Sequence, residues 1–83
     1  MEELNVAAQI KIYVEDPAAI PAVKESVEKI AKVQKFWEEE LGFGIKVLKA
    51  ALLLPDSGME EVEKKILEID NVSQVEVESV SRV

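Results

Sequence analysis

The rhythm of apolar residues in this chain changes four times, and that alternation leaves few folds open. Val6, Ala8, Ile10, Ile12 and Val14 alternate with Ala7, Gln9, Lys11 and Tyr13, the period of two of a strand with one buried face. Glu15-Asp16-Pro17 ends the run, because proline cannot donate to a ladder and acidic residues favour turns. Between Ile20 and Val33 the spacing becomes three and four. Ile20, Val23, Val27 and Ile30 line one helical face, and Lys24, Glu25, Glu28, Lys29 and Lys32 occupy much of the rest. Pro21 fits the first turn, where its missing N–H costs little.

The period of two then returns twice. Lys35 to Leu41 carries Phe36 and Trp37 beside Glu38-Glu39-Glu40, a charged strand suited to a sheet edge. Gly42-Phe43-Gly44 forms a tight turn or bulge. Ile45 to Leu54 is apolar apart from Lys46 and Lys49; it reads as an interior strand with Leu48, Ala50, Leu52 and Leu54 on one face. Pro55-Asp56-Ser57-Gly58 ends it. Met59, Val62, Ile66 and Ile69 repeat at three and four, giving a second amphipathic helix with Asp56 or Ser57 as cap and Glu60 and Glu61 near its positive end. Asp70-Asn71 breaks that helix. Val75 and Val77 alternate with Glu76 and Glu78 in a last strand, whose phase slips after Ser79 and places a bulge or strand end there.

Strand, helix, strand, strand, helix, strand is the order that right-handed crossovers close into an α+β ferredoxin-like sandwich: a βαββαβ chain with a four-stranded antiparallel sheet and both helices on one face. The first and third strands, Asn5–Val14 and Ile45–Leu54, take the centre, and the second and fourth the edges. Residues 1–83 make one domain, with no internal linker. So short a chain buries only about 60–65% of its unfolded surface, and its core comes from the 48% of residues that are hydrophobic.

Charge and absent residue types narrow the function. Seventeen Asp and Glu against ten Lys and Arg give a net charge of −7, which repels phosphate backbones and disfavours direct nucleic-acid binding. A protein partner with a basic surface is the better match. With no Cys and no His, disulfides, Cys/His metal sites and His- or Cys-based nucleophilic triads are excluded, and no cofactor is expected. Met1-Glu2-Glu3 is acidic and no apolar run nears the ~20 residues of a membrane span, so a soluble, cytoplasmic protein is expected.

Gly42-Phe43-Gly44 has two readings, a hairpin turn with a rim-packed Phe or an exposed aromatic aimed at a partner's pocket. Gly42 to Leu48 also partly imitates the third strand of an RNA-recognition module. Leu41 stands where that motif wants a basic residue and Ile45 where it wants a base-stacking aromatic, so RNA binding does not follow. Glu38-Glu39-Glu40 cannot converge on one ion, because neighbours on a strand point to opposite faces. Glu60, Glu61 and Glu63 read as a solvated helix face, with no visible partner for acid–base chemistry. Ile45, Val47, Ala51 and Leu53, with Ala7 and Tyr13, fall on the sheet face away from the helices. An open apolar patch there would make the chain a regulatory binding module that self-associates through that face. Arg82, beside Val83, is either a frayed end or a cation reaching a partner.

The segment Gly42-Phe43-Gly44-Ile45-Lys46-Val47-Leu48, the Pro55-Asp56 that ends the following strand, and Val72-Ser73-Gln74-Val75-Glu76-Val77 together resemble the elongation factor 1-beta family of archaea and the catalytic C-terminal domain of its eukaryotic members. The resemblance covers essentially the whole chain. It implies a guanine nucleotide exchange factor, without covalent chemistry, that binds the GTPase elongation factor 1-alpha and promotes GDP release. It places partner contacts at Gly42, Phe43, Gly44 and Lys46, where Phe43 matches the family's loop aromatic, and at Arg82 and Val83. Arg82 matches a basic residue that approaches the partner's magnesium region. Two positions depart from the pattern: the eukaryotic members have Lys where Arg82 stands, and many archaeal members have Pro-Ile where this chain has Glu40-Leu41.

Overall fold

A computed structural model describes residues 4–43, 45–56 and 58–82. Strand β1 (Val6–Val14) leads through a 3-10 turn (Pro17–Ala19) into helix α1 (Ile20–Ile30), followed by β2 (Lys32–Gly42), β3 (Ile45–Leu54), helix α2 (Met59–Leu67) and β4 (Val72–Arg82). The four strands form one antiparallel sheet in the order β2-β3-β1-β4. This is the βαββαβ sandwich expected from the alternating periods, with β1 and β3 central and β2 and β4 at the edges.

The period of two sorts the central strands as expected. Val6, Ala8, Ile10, Ile12 and Val14 of β1 and Leu48, Ala50, Leu52 and Leu54 of β3 are buried together with Ile20, Val23 and Val27 of α1 and Val62 and Ile66 of α2. Both helices therefore cover the same face, and one continuous apolar core lies between layers.

Local chemistry sets the boundaries. Asp16 caps the 3-10 turn, its Oδ1 accepting from the Ala18 N–H at 3.0 Å, so Glu15-Asp16-Pro17 does end β1. Helix α1 stops at Ile30, three residues short of the expected Val33, because Lys32 and Val33 instead pair with Leu53 and Leu52 of β3. Strand β2 accordingly starts at Lys32 rather than Lys35. Asn71 takes a left-handed φ of 72°, a conformation asparagine tolerates, at the break after α2.

The start of α2 differs from the expected cap. Its cap residue is Gly58, and no side chain caps it; the Asp56 carboxylate is engaged elsewhere, and Ser57 lies outside the described residues. A Cβ on Gly58 would sit 3.0 Å from Cγ of Pro55, so a larger residue there would have to displace the proline ring by a few tenths of an ångström.

The slip in β4 falls one residue earlier than the valine spacing implies. Gln9 pairs with Ser79 and Ile10 with Val77, leaving Glu78 as the extra residue of a bulge, and the strand continues to Arg82. Directly paired residues share a face. Ser79 thus lies with Gln9 on the helix-free face, while Val80 and Arg82, paired with Ala8 and Val6, return to the helix side.

Candidate functional site

The residues singled out from the sequence fall into two groups at opposite ends of the sheet. The first is the β2–β3 hairpin. The last β1–β3 pair is Tyr13 with Val47, so Glu40 to Lys46 project past the central strand. Leu41 is an extra residue between the pairs Glu40–Lys46 and Gly42–Ile45. Gly42 has φ +97° and a Cβ there would meet nothing within 4 Å, so the backbone angle alone calls for glycine. Phe43 follows with φ 56°, a left-handed conformation that costs a bulky residue about 1–2 kcal/mol. Its side chain is fully exposed at 103%, beside Leu41 at 45%. The rim-packed reading of Phe43 is thereby overturned: the hairpin holds the aromatic out in solvent. Lys46 is exposed at the base of the tip. Gly44 lies outside the described residues.

The second group is at the other end. Arg82 pairs with Val6 in the ladder, and its Nη2 lies 2.9 Å from Oδ1 of Asp56. The other oxygen, Oδ2, accepts from Asn5 Nδ2 at 3.3 Å, while Oδ1 of Asn5 is buried without a partner. Val83 lies outside the described residues. Ile45 to Leu54, the length of β3, separates the two ends by ~30 Å, along a molecule whose long axis is 41 Å. Among the described residues, the two groups lie too far apart to share one pocket.

Between these ends, the described side chains of the helix-free face do not form an open apolar patch; the side chain of Ile45 lies outside them. Val47, flanked in register by Tyr13 and Glu39, is fully buried, and Ala7, Ala51 and Leu53 are half-buried. The middle is occupied by Lys49, itself buried at 9% exposure. Its Nζ lies 2.8 Å from Glu39 Oε2 and 3.0 Å from Glu78 Oε1. Lys11 Nζ is 3.9 Å from Glu78 Oε2, and Gln9 Nε2 donates to Glu78 Oε1 at 3.4 Å. The hydrogen bond to Glu39, then that to Glu78, raises the Lys49 pKa above 10.5, against the opposing effect of burial. The Lys49 hydrogen bond holds Glu78 below its ordinary 4.5. Lys35 and Lys11 lie over Trp37 and Tyr13, 5.4 and 5.9 Å from the ring centres, so polar and cationic groups roof the apolar floor. Among the described residues, self-association through this face is not favoured.

Glu38 and Glu39 diverge as alternation requires: Glu38 lies 3.8 Å from Lys24 on the helix side and Glu39 meets Lys49 on the other. No cluster of three metal-ligating side chains occurs among the described residues. A cleft of about 290 Å³ between the end of α1 and the start of α2 has both apolar walls, among them Ile30, Leu54 and Val62, and charged ones, Lys32, Glu61 and Lys65. Its acidic group, Glu61, is paired with Lys65 at 3.2 Å. No helix among the described residues is long and apolar enough to cross a membrane.

The sequence reading missed two groups. Asp56 was expected at a helix cap and instead meets Arg82; Leu41 sits exposed beside Phe43, and its only signal is an apolar residue next to a glycine turn.

Residues 7–83 match the model of the EF-1 guanine nucleotide exchange domain. The chain is 34% identical to the elongation factor 1-beta of Aeropyrum pernix, over 95% of this chain and 97% of that one. It is 37% identical to the elongation factor 1-beta of Methanoculleus marisnigri over 88% and 90%, and 32% identical to that of Pyrococcus abyssi over the full length of both. Among solved structures, the ACT domain from GTP pyrophosphokinase of Chlorobium tepidum superposes with a TM-score of 0.70 at 17% identity, covering 88% of this chain and 85% of the other. The C-terminal domain of MgtC from Mycobacterium tuberculosis superposes at 0.69 and 14%, covering 100% and 93%. At such identities these two likenesses concern the fold alone.

Proposed function

This chain belongs to the EF-1 guanine nucleotide exchange domain family, and on that footing we propose that it promotes GDP release from elongation factor 1-alpha in the cytoplasm by touching the GTPase at two separated points. The observation that carries the reading is Phe43. A fully exposed aromatic on a left-handed backbone loses twice in the free protein, through strain and through apolar exposure. Both losses are offset when the ring enters a partner's pocket, and rigid aromatics are common interface anchors.

Arg82 supplies the second contact. Its guanidinium stands at the far end of the sheet, about 30 Å from the tip by strand rise. A cation brought there against the GTPase's magnesium region competes with the metal that holds the phosphates. Arginine offers a planar fork of donors, where the eukaryotic members' lysine offers a point charge. Gly42 and Lys46 shape the tip contact; Gly44 and Val83 are assigned to the two contacts by the family resemblance.

Nothing covalent is required. The factor need only bind the nucleotide-free GTPase more tightly than the loaded one; linkage then lowers nucleotide affinity by the same factor. The test is release of a fluorescent GDP analogue from an archaeal elongation factor 1-alpha, with and without this protein. Substoichiometric acceleration supports the reading; an unchanged release rate at micromolar concentrations of folded protein overturns it.

A further inference from the structure

The carboxylate of Asp56 sits in the middle of a short relay. Arg82 Nη2 donates to its Oδ1 at 2.9 Å, and Asn5 Nδ2 donates to its Oδ2 at 3.3 Å. Three segments distant in sequence meet here: the residue before β1, the turn between β3 and α2, and the end of β4. The Asn5 amide has its oxygen turned inward, where Oδ1 is buried, and its nitrogen turned outward to Asp56. The carboxylate it binds is therefore held from one side, with its other oxygen turned to the guanidinium.

The bulge at Glu78 makes this meeting possible. It restores Arg82 to the helix side of the sheet, opposite Val6, and Val6 also faces Leu54, two residues before Asp56. Were this same sequence paired without a bulge, with Glu78 taking its own place in the ladder, alternation would turn Arg82 to the other face. A free arginine side chain carries about 2 kcal/mol of rotamer entropy, whereas one directed by a fixed carboxylate samples far fewer orientations.

We propose that Asp56 is a positioning residue for the exchange reaction: anchored by Asn5, it aims the Arg82 guanidinium along the end of the sheet before the partner arrives. This rests on the exchange reading above and deepens it. Both side chains are substantially exposed, Arg82 at 74% and Asp56 at 49%. The pair is consequently weak enough to be given up when a stronger anionic site is offered. Its value lies in orientation before contact.

The test combines kinetics with a measurement that needs no partner. Asp56→Asn keeps the shape and removes the charge. It is expected to lower the maximal acceleration of GDP release about two- to fivefold, the span of an exposed ion pair, with the half-saturating concentration unchanged. Asp56→Glu is expected to restore most of the loss. In an Arg82→Ala background the Asp56→Asn change should add nothing, because coupled residues are not additive. Nitrogen-15 relaxation of the Arg82 Nε–H, recorded on the protein alone, is expected to show an ordered side chain that loosens in Asp56→Asn.

Faster release in Asp56→Asn would overturn the proposal, because Asp56 would then restrain Arg82. So would an equal loss in the Arg82→Ala background, or relaxation unchanged by Asp56→Asn. Failure of the intact protein to accelerate release sinks the exchange reading instead, and the relaxation measurement still judges whether Asp56 orders Arg82.

Discussion

The ammonium of Lys49 sits 3.0 Å from Oε1 of Glu78, and the pair reaches across β1 to join a central strand to the far edge. Because Lys49 also lies 2.8 Å from Glu39, one nearly enclosed cation holds carboxylates from both edge strands. Taking the cation away leaves Glu39, about half exposed, without this partner and Glu78 with Lys11 and Gln9. The loss is therefore the modest one of a partly exposed pair. Lys49→Met is expected to lower the urea midpoint relative to the unaltered protein. Adding Glu39→Gln and Glu78→Gln should recover part of the loss; a midpoint unmoved by Lys49→Met would show that the cation contributes little.

The same pair predicts a pH dependence with a definite sign. Lys49 depresses the Glu78 pKa below 4.5. The unfolded chain therefore binds the proton first, and the stabilisation is present above that value and lost as pH falls through the folded pKa. The Lys49 pKa is raised above 10.5, so its share persists below that value and is lost only in stronger alkali. Urea midpoints taken between about pH 5 and 3 should fall more steeply for the unaltered protein than for Glu78→Gln. Parallel slopes would contradict the assignment.

At the hairpin, backbone and side chain are expected to separate. Gly42→Ala adds a methyl group that meets no neighbour, so its cost is the positive φ alone, about 1 kcal/mol of stability, with Phe43 less firmly presented. Phe43→Ala should instead leave stability unchanged or improve it and slow the exchange reaction by about tenfold or more. Thermal unfolding and GDP-release rates on the two variants make the comparison; a Phe43→Ala variant that unfolds more easily would mean the ring is packed in solution.

Leu52 lies on the core face of β3, two residues from its end, and is fully buried. Leu52→Ala should cost roughly 2–5 kcal/mol, a large part of what so small a domain has to lose. Chemical denaturation followed by circular dichroism measures it, and a loss under about 1 kcal/mol would mean that the site collapses around the smaller side chain.

Deleting Ser79 gives a less intuitive expectation. Pairing with β1 dictates what faces what, so removing one residue of the bulge lets Glu78 stand opposite Gln9 while Val80 and Arg82 keep their partners. The deletion should cost less than the Leu52 truncation and retain the Arg82–Asp56 pair, whereas an insertion at the same place should disturb both. Backbone amide shifts of Val80 to Arg82 distinguish these outcomes.

These cases also mark where reading the chain succeeds. The alternation of Ile45 to Leu54 returns β3 with the bounds observed, because a buried strand must keep its parity along its whole length. Helix α1 is overestimated at its end because Lys32 and Val33 fit either period, and a ladder to Leu53 and Leu52 wins over another helical turn. The role of Asp56 is hidden for a different reason. A carboxylate just before a helix is ordinarily a cap, and its capture by Arg82 depends on a bulge that shifts facing only in three dimensions. Alternation likewise assigned Val47, Ala51 and Leu53 to the helix-free face but was silent about the long polar side chains of Lys49 and Lys11 spread over it.

Strand β3 runs unbroken from the hairpin to the turn that carries Asp56, and a strand has no joint. It lengthens in steps of about 3.3 Å, and each single step exchanges inside for outside, so a workable change comes in pairs of residues, about 7 Å at a time, matched by its neighbours. The sheet is in that sense a gauge with coarse graduations. A loop changes length by any number of residues, whereas the span between the two ends changes only in those paired steps.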